Sequence, residues 1–163
     1  MSLSKKGLDW LKHVERLALM PYDDQTGKQI SSWVKGATIG YGHLIPKHEW
    51  VKYRNGITDV EADALLRKDL ERFVNVVRLI PRKLAQNEFD ACVMLAYNIG
   101  VNGFKRSTVF KMVSDPKFRS SVYSTLEAAW MAWNKSQGKI SRGLINRRAA
   151  EWDMYNRGLY RHW

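Results

Sequence analysis

Residues 15–43 read ERLALMPYDDQTGKQISSWVKGATIGYGH. The segment begins with a carboxylate, Glu15, and closes with a run at 38–43 in which glycines alternate with other residues. Glycines and prolines interrupt its short apolar pieces, and this texture is typical of strands joined by turns rather than of a long helix. We therefore predict a small antiparallel sheet here, with strands over residues 29–34 and 37–45.

Helical patterns lie on both sides of this sheet region. Apolar side chains recur at steps of three and four through residues 4–15, and Glu15 closes that stripe. After the sheet region, Thr58 and Glu61 have the spacing of a capping box, and apolar residues at helical spacing continue to residue 80, ahead of a proline. Beyond that proline, helices are expected over 87–99, over 107–113, in a run after residue 116 that aligns Val122, Leu126, Trp130 and Trp133, and over 141–157.

These patterns predict an α+β fold in which a small antiparallel-sheet lobe and a larger all-helical lobe are joined by a long helix. We expect one domain, 1–163, because no repeat or low-complexity linker divides the chain. Its predicted parts are an N-terminal helix (1–16), a small β lobe (17–57), a connecting helix (58–80) and a helical lobe (81–163). A chain of 163 residues can bury a sizeable core without disulfides or metals.

The chain is strongly basic, with 27 lysines and arginines against 16 acidic residues and a net charge of +11. Residues 1–80 carry 13 basic and 10 acidic side chains, whereas residues 81–163 carry 14 and 6. Such an excess favours an anionic partner. The single cysteine, Cys92, excludes an intrachain disulfide framework and the usual zinc patterns, so we expect neither a metal nor a cofactor.

Membrane insertion and export have no signal in this sequence. No apolar run approaches the roughly 18 residues that a membrane span requires. The first residues, MSLSKKGLDWLKHVE, carry charges where a secretory signal peptide has its apolar stretch. We therefore expect neither a transmembrane segment nor a signal peptide.

Glu15 and Asp24 are a candidate pair of catalytic carboxylates. Glycoside hydrolysis needs one carboxyl group that stays protonated and donates to the leaving oxygen, and a second that is ionised. Glu15 closes an apolar helix face and Asp24 lies in a polar turn, so their surroundings suit two different roles. Taken alone the pair is more often structural, because a Glu at a helix end and an Asp in a turn are common.

The glycines after Thr38 add to this pair. In one continuous strand Thr38, Gly40 and Gly42 share a face, which leaves a hydroxyl beside two positions without side chains. Such glycines mark either the close approach of a ligand or a bulge or tight bend in a small sheet, and the residues alone leave both interpretations open. His43, on the opposite strand face, is expected to be a structural hydrogen-bonding group rather than a catalytic one.

In order and spacing these residues resemble the phage-type lysozymes, the muramidase endolysins of bacteriophages. The resemblance rests first on Glu15, on Leu-Met-Pro-Tyr at 19–22, on Asp24 and Gly27, and on Thr-Ile-Gly-Tyr-Gly-His at 38–43. It continues through Phe-Asp-Ala at 89–91, Ala-Tyr-Asn-Ile-Gly at 96–100, Gly103 and Phe104, Ser107 and Thr108, and Gly-Leu-Ile-Asn-Arg-Arg at 143–148. It covers nearly the whole chain, and it implies a lysozyme-like fold.

The resemblance also implies a role for individual residues. Glu15 matches the general acid that protonates the glycosidic oxygen between N-acetylmuramic acid and N-acetylglucosamine. Asp24 matches the carboxylate that stabilises positive charge on the sugar and helps direct a water, and Thr38 matches the hydroxyl that orients this water. An inverting reaction is implied, with carboxyl groups about 6.5 to 9.5 Å apart. The positions that line the saccharide cleft between the lobes are matched by Leu44, Tyr97 and Ser107.

The sequence departs from the family pattern in two places. The segment from Asp24 to Thr38 is longer than in the most compact members, which predicts an extended hairpin. Trp33 in this hairpin either stacks on a sugar ring or packs in the lobe core. Arg16 stands where many members have glycine, and it places a positive charge beside Glu15 or at the cleft entrance.

We therefore predict a glycoside hydrolase, an endolysin that cuts the glycan strands of peptidoglycan and lyses the host cell. It is expected to be made in the host cytoplasm, to act on the wall, to need no cofactor and to be a monomer. The basic helical lobe is expected to contact anionic wall polymers or lipopolysaccharide. No specific nucleic-acid partner is expected.

Three alternatives compete with this prediction. A lytic transglycosylase cuts the same bond but forms an anhydro sugar, and it generally needs only one catalytic acid, so Asp24 and Thr38 disfavour it. A basic nucleic-acid-binding protein would need a reading helix, a zinc module or a stacking sheet, and the sequence shows none of these. A muramidase-like domain that only binds the wall is disfavoured because Glu15, Asp24 and Thr38 are all present.

Overall fold

Helices form most of the chain, beside one small sheet and one hairpin, and this confirms the predicted α+β class. The computed structural model describes all residues, Met1–Trp163. The helices are α1 (Lys5–Glu15), α2 (Trp50–Tyr53), α3 (Asp59–Val77), α4 (Gln86–Ile99), α5 (Val101–Arg106), α6 (Thr108–Ser114), α7 (Leu126–Met131) and α8 (Arg142–Arg157). The strands are β1 (Ala18–Asp23), β2 (Ala37–Gly40), β3 (His43–Leu44), β4 (Lys135–Ser136) and β5 (Lys139–Ile140), and a short 3-10 helix covers Lys47–Glu49.

The chain divides into two compact units, and the divisions fall inside α1 and α3. One unit is Leu11–Glu71, which contains the three-stranded sheet. The other consists of Met1–Trp10 and Arg72–Trp163 and contains the helices from α4 onward and the β4–β5 hairpin. None of the helices is both long enough and apolar enough to cross a bilayer.

The sheet of the Leu11–Glu71 unit is antiparallel, with the order β1-β2-β3. A buried cluster supports it, formed by Ala37, Ile39, Ile45 and Tyr53 with Ile30, Trp33, Val34, Trp50, Ile57 and Leu65 packed against them. Successive residues of a strand face opposite sides of the sheet. Because Ala37 and Ile39 face this core, Thr38 between them faces the other side.

The predicted strand over 29–34 is wrong. Only Gln29 makes a ladder contact, an isolated bridge to Tyr22, and the strand that contains Tyr22 is β1, which had not been predicted. Two features hid β1 in the sequence. Pro21 interrupts its apolar pattern, and its register against β2 slips between Ala18 and Tyr22, so the regular alternation of buried and exposed residues is lost.

The predicted strand over 37–45 is two strands joined by a turn. β2 ends at Gly40 and β3 begins at His43. Gly40 and Gly42 have φ angles of +70° and +87°, a left-handed conformation that glycine adopts without a steric penalty. The shared face predicted for Thr38, Gly40 and Gly42 therefore does not extend to Gly42, which lies in the tight turn between β2 and β3.

The helix predicted over residues 4–15 is confirmed as α1. Arg16, directly after it, has a φ angle of +55°, and its amide donates to the Lys12 carbonyl oxygen at 3.2 Å. This left-handed helix end is the conformation for which glycine is preferred, because a Cβ approaches the following carbonyl oxygen. Arg16 therefore strains the backbone at the point where α1 ends.

The substitution Arg16→Gly is expected to raise the free energy of unfolding by about 1 kcal/mol, because it removes the Cβ from a left-handed residue. Urea unfolding monitored by circular dichroism measures the change. Arg16→Ala is the matched control, since it also removes the charge but keeps the Cβ, and it is expected to bring no gain. Equal stabilities for the two variants would contradict this explanation.

Helix α3 begins as predicted and ends earlier. The Thr58 amide donates to the Glu61 carboxylate at 3.0 Å, and the Glu61 amide donates to the Thr58 hydroxyl at 3.1 Å, so the capping box is confirmed. The helix was predicted to reach residue 80 but ends at Val77. Leu79 and Ile80 donate instead to carbonyls three residues back, at 3.2 and 3.1 Å, which tightens the chain ahead of the proline.

Helix α4 is the centre of the other unit. Its residues 89–96 are all buried, and α8 packs against it. The predicted ends of both helices are confirmed. Gly100 and Gly158 follow α4 and α8 with φ angles of +93° and +66°, and the Ser141 hydroxyl caps the first turn of α8.

The arginines near the C-terminus belong partly to the core rather than to the surface. Arg147 and Arg148 are 5% and 0% exposed, and both pair with the fully buried Glu151, at 2.9 and 2.8 Å. The indole of Trp130 donates to the same carboxylate at 3.1 Å. The single carboxylate balances only one of the two positive charges, but both guanidinium groups are buried, so neither is part of the exposed basic surface that the sequence predicted.

The chain between residues 101 and 141 differs most from its prediction. Helix α6 confirms the helix expected over 107–113, whereas α5 had not been predicted. Helix α7 begins only at Leu126, and Val122, which was expected on its apolar face, is 75% exposed. Further on, β4 and β5 form a hairpin through Gln137 and Gly138, whose φ angles of +52° and +77° suit a two-residue turn.

Candidate active site

The three predicted catalytic residues come from three elements of the Leu11–Glu71 unit. Glu15 is the last residue of α1, Asp24 directly follows β1, and Thr38 is the second residue of β2. Glu15 is half-buried, Asp24 is exposed and Thr38 is 4% exposed. Three different elements, a helix and two strands, therefore contribute these residues to one compact unit.

Gly36 connects Asp24 with Thr38. Its carbonyl oxygen accepts a hydrogen bond from the Asp24 amide at 3.1 Å and another from the Thr38 hydroxyl at 2.8 Å. Its φ angle is +103°, and a Cβ at this position would overlap a carboxylate oxygen of Asp24 and lie 3.3 Å from one of Asp23. Sequence reasoning had given Gly36 no role, although a glycine two residues before Thr38 was a visible signal.

The substitution Gly36→Ala is expected to lower kcat on peptidoglycan by about 100-fold, because a displaced catalytic group loses its alignment with the substrate. The added Cβ both pushes against the Asp24 carboxylate and strains the left-handed backbone. The release of soluble fragments from purified walls measures the loss.

Gly27→Ala is the matched control for this change. Gly27 lies in the same hairpin with a φ angle of +72°, but a Cβ there meets nothing within 4 Å. The control therefore carries the backbone strain without the clash, and it is expected to keep most of the activity. If both variants lose activity equally, the contact with Asp24 is not the cause.

Both candidate carboxylates act electrostatically on the side chain of Tyr22. Burial raises the pKa of the half-buried Tyr22 hydroxyl, and the negative charges of Glu15 and then Asp24 raise it further. Coulomb interactions weaken with distance, so both carboxylates lie near this side chain. From the sequence, Tyr22 was recognised only as part of the family motif at 19–22. A role for it could not be predicted, because its neighbours in space depend on the register of β1 against β2.

Leu44, Thr38 and Tyr22 form one row across the sheet. Tyr22 of β1 lies opposite Thr38 of β2, which lies opposite Leu44 of β3. Side chains of directly opposed residues lie on the same face of a sheet. Leu44, predicted to bind saccharide, is 61% exposed in this row and therefore accessible beside Thr38.

His43 and Trp33 have structural contacts. The Nδ1 atom of His43 lies 2.7 Å from the Asp69 carboxylate, and its ring packs 5.5 Å from that of Tyr53, in line with the structural role expected for it. The indole of Trp33 donates to the Ile45 carbonyl oxygen at 2.9 Å and packs on the core cluster. Of its two open interpretations, packing in the core is therefore the one that these contacts support.

Tyr97 and Ser107, the other predicted saccharide-binding residues, lie in the second unit. The Tyr97 ring packs 5.0 Å from that of Phe73. The buried Ser107 hydroxyl accepts from the Phe110 amide at 3.0 Å and donates to the Phe104 carbonyl oxygen at 2.6 Å, so it caps α6. Their roles in saccharide binding stay predictions.

Ser107 also lines a cavity of about 290 Å³ in this second unit, together with Arg106, Thr108, Tyr123, Ala129, Ala132 and Trp133. No group of three histidine, cysteine, aspartate or glutamate side chains comes together in a way that could hold a metal ion. The candidate catalytic arrangement is the set of carboxyl and hydroxyl groups around β1 and β2.

The sequence model of one protein family, described as phage lysozyme, matches residues 12–151. The matched range is most of the chain and includes Glu15, Asp24 and Thr38. The chain belongs to the phage lysozyme family. This confirms the resemblance that was predicted from the sequence motifs.

Among its relatives is the endolysin of Bacillus phage PZA, 36% identical over 160 residues that cover 97% of this chain and 56% of that protein. The chain spans about half the length of the two Bacillus phage relatives that it matches. A solved endolysin from Escherichia coli O157:H7 phage FAHEc1 has a TM-score of 0.73 and 33% identity, covering 99% of this chain and 98% of its own. The solved muramidase domain of SpmX from Asticaccaulis excentricus has a TM-score of 0.73 and 30% identity, covering 95% of this chain and 97% of that domain. The phage lysozyme fold thus extends over the whole chain.

Proposed function

We propose that this chain hydrolyses the β-1,4 bond between N-acetylmuramic acid and N-acetylglucosamine in peptidoglycan and acts as an endolysin. The observation that carries the proposal is that Glu15 and Asp24, at the ends of two different elements, both act electrostatically on the Tyr22 side chain and raise its pKa. Two carboxyl groups that flank one site are what glycoside hydrolysis requires. Relatives named endolysin and muramidase support the choice of substrate.

In the proposed reaction Glu15 gives its proton to the glycosidic oxygen as the bond from that oxygen to the anomeric carbon breaks. A water adds to the anomeric carbon from the opposite face and passes a proton to Asp24, whose negative charge also stabilises the positive sugar. The product inverts at the anomeric carbon. This outcome requires the two carboxyl groups to be about 6.5 to 9.5 Å apart.

Thr38 orients the attacking water in this proposal. Its hydroxyl hydrogen is already donated to the Gly36 carbonyl oxygen. The oxygen lone pairs are then the part of the hydroxyl that can engage the water, by accepting a hydrogen bond from it. Gly36 thereby fixes both the direction of this acceptor and the position of the Asp24 backbone.

The test of the proposed activity uses purified peptidoglycan and the intact chain. The wild type is expected to release soluble glycan fragments and to create new reducing ends in proportion. If no fragments appear over a broad range of pH and salt, the proposal is overturned. A lytic transglycosylase and a nucleic-acid-binding protein are not favoured, and no observation in this fold speaks for either.

We infer that exposed basic side chains of the second unit hold anionic polymers of the cell envelope, lipopolysaccharide included. With Arg147 and Arg148 buried against Glu151, the accessible charge lies elsewhere. The exposed basic side chains of this unit include Lys105, Arg106, Lys111, Lys117, Arg119, Lys135, Lys139 and Arg142. Binding to walls should weaken as salt rises, because exposed charges are screened within about 10 Å at 0.1 M salt.

We propose further that the chain is made in the host cytoplasm, reaches the wall from there and works as a monomer. A site formed by residues of one compact unit supports monomeric action, since it draws on no second copy. Analytical ultracentrifugation tests the oligomeric state, and a stable dimer whose dissociation abolishes activity would overturn this part.

A further inference from the structure

Tyr22 lies beside the proposed catalytic residues but has no role in the reaction as described above. It lies directly opposite Thr38 in the sheet, in the row that continues to Leu44, and it precedes Asp24 by two residues. Side chains of opposed residues lie about 4.5 to 5.5 Å apart at Cβ and on one face. Tyr22 therefore belongs to the surface that presents the Thr38 hydroxyl.

The Tyr22 hydroxyl makes no hydrogen bond to another group of the protein, although the side chain is half-buried. A half-exposed phenol is open to solvent, so its hydroxyl can donate a hydrogen bond to a bound molecule. Burial and the charges of Glu15 and Asp24 raise its pKa, so this group stays protonated at neutral pH and is a donor. It cannot serve as a base in the reaction.

The two carboxylates also indicate what the partner is. In a glycoside hydrolase the acid and the second carboxylate flank the bond that is cut. A hydroxyl that both of them influence lies beside the sugar whose anomeric carbon is attacked. The chemistry offered by that sugar is a set of hydroxyl and acetamido oxygens, all of which accept hydrogen bonds.

We propose that Tyr22 is a further substrate-binding residue of the catalytic centre, whose hydroxyl donates a hydrogen bond to an oxygen of the sugar that is cleaved. The inference rests on the proposed function. Under it, the row of Tyr22, Thr38 and Leu44 acts on one sugar as a unit. The leucine contacts the saccharide, the threonine holds the water, and the tyrosine fixes the sugar between them.

Tyr22→Phe tests this proposal, because it removes only the hydroxyl and keeps the ring that packs in the sheet. Turnover is measured on soluble peptidoglycan fragments. Binding of an uncut muropeptide oligosaccharide is measured in the Glu15→Gln background, with and without Tyr22→Phe. We expect kcat/KM to fall and the dissociation constant to rise by about 3- to 10-fold, the effect of one lost hydrogen bond. The thermal midpoint should stay unchanged.

Tyr53→Phe is the matched control, since Tyr53 belongs to the buried core cluster of the same unit and faces His43 rather than the site. It is expected to leave binding and turnover unchanged. Wild-type binding and turnover in Tyr22→Phe, in a protein that Glu15→Gln inactivates, would overturn this inference and leave the proposed function intact. If the wild type cuts no peptidoglycan at all, the proposed function fails and this inference fails with it.

Discussion

The substitution Glu15→Gln is expected to lower kcat on peptidoglycan by about three orders of magnitude, within the range that a positioned general acid contributes. Glutamine has the shape of glutamate but cannot transfer a proton to the glycosidic oxygen. Glu15 is half-buried at the end of α1, so the change should leave the fold in place. The rate of fragment release at saturating substrate measures the effect, and substrate binding should change little.

Glu71→Gln is a suitable control for this experiment. Glu71 is an exposed carboxylate on α3 in the same unit, so the control removes the same charge without touching the site. It is expected to retain wild-type rates. A Glu15→Gln protein that remained within tenfold of the wild type would show that another group protonates the leaving oxygen.

The substitution Asp24→Asn is expected to lower kcat by about two orders of magnitude, because the amide neither stabilises positive charge on the sugar nor takes a proton from water. The side chain is exposed, and its backbone amide keeps the bond to the Gly36 carbonyl oxygen. Stability should therefore be close to that of the wild type. Thermal unfolding and fragment release on the same preparation separate loss of chemistry from loss of fold.

The neighbouring carboxylate provides the sharpest control for Asp24. The Asp23 side chain accepts a hydrogen bond from the Gln25 amide at 2.9 Å, which an asparagine oxygen can also accept. Asp23→Asn thus removes one negative charge a single residue away and preserves the turn. Similar losses in the two variants would mean that the local charge, rather than the position of Asp24, is what matters.

Local signals account for the elements that could be predicted from the sequence. The capping box at Thr58 and the glycines after α4 and α8 fix helix ends through contacts within a few residues. Strand β1 depends on its pairing with β2, and Pro21 and the register slip in β1 erase its alternation. The β4–β5 hairpin is local, but its strands have only two residues each and show no apolar alternation. Gln137 and Gly138 lie between the helix predicted after residue 116 and the helix predicted over 141–157, where no strand had been predicted.

The exposure of charged residues also depends on tertiary contacts that the sequence does not show. Arg147 and Arg148 looked like part of a basic surface because the sequence does not show that Glu151 is buried between them. One helical turn separates these residues, but the reason for their burial is the packing of α8 on α4, which is a tertiary contact. The net charge of the sequence therefore predicted that the surface is basic, but it overestimated how much of the surface charge these two arginines supply.

For the candidate site, spacing and family motif named Glu15, Asp24 and Thr38, since these positions follow one another in a fixed order. Gly36 and Tyr22 could not be assigned in this way. The role of Gly36 comes from a carbonyl oxygen shared by Asp24 and Thr38, and that of Tyr22 comes from strand register. Neither contact exists until β1 and β2 pair.

In the proposed reaction, water directed by Asp24 and Thr38 completes the cut that Glu15 begins. Mass spectrometry of the fragments from purified peptidoglycan tests this step, because hydrolysis adds the mass of one water to each new end. We predict that every new end is a reducing N-acetylmuramic acid that has gained one water, and that isotopically labelled water appears in it. New ends that carry an anhydro sugar and no label would contradict the proposed hydrolysis.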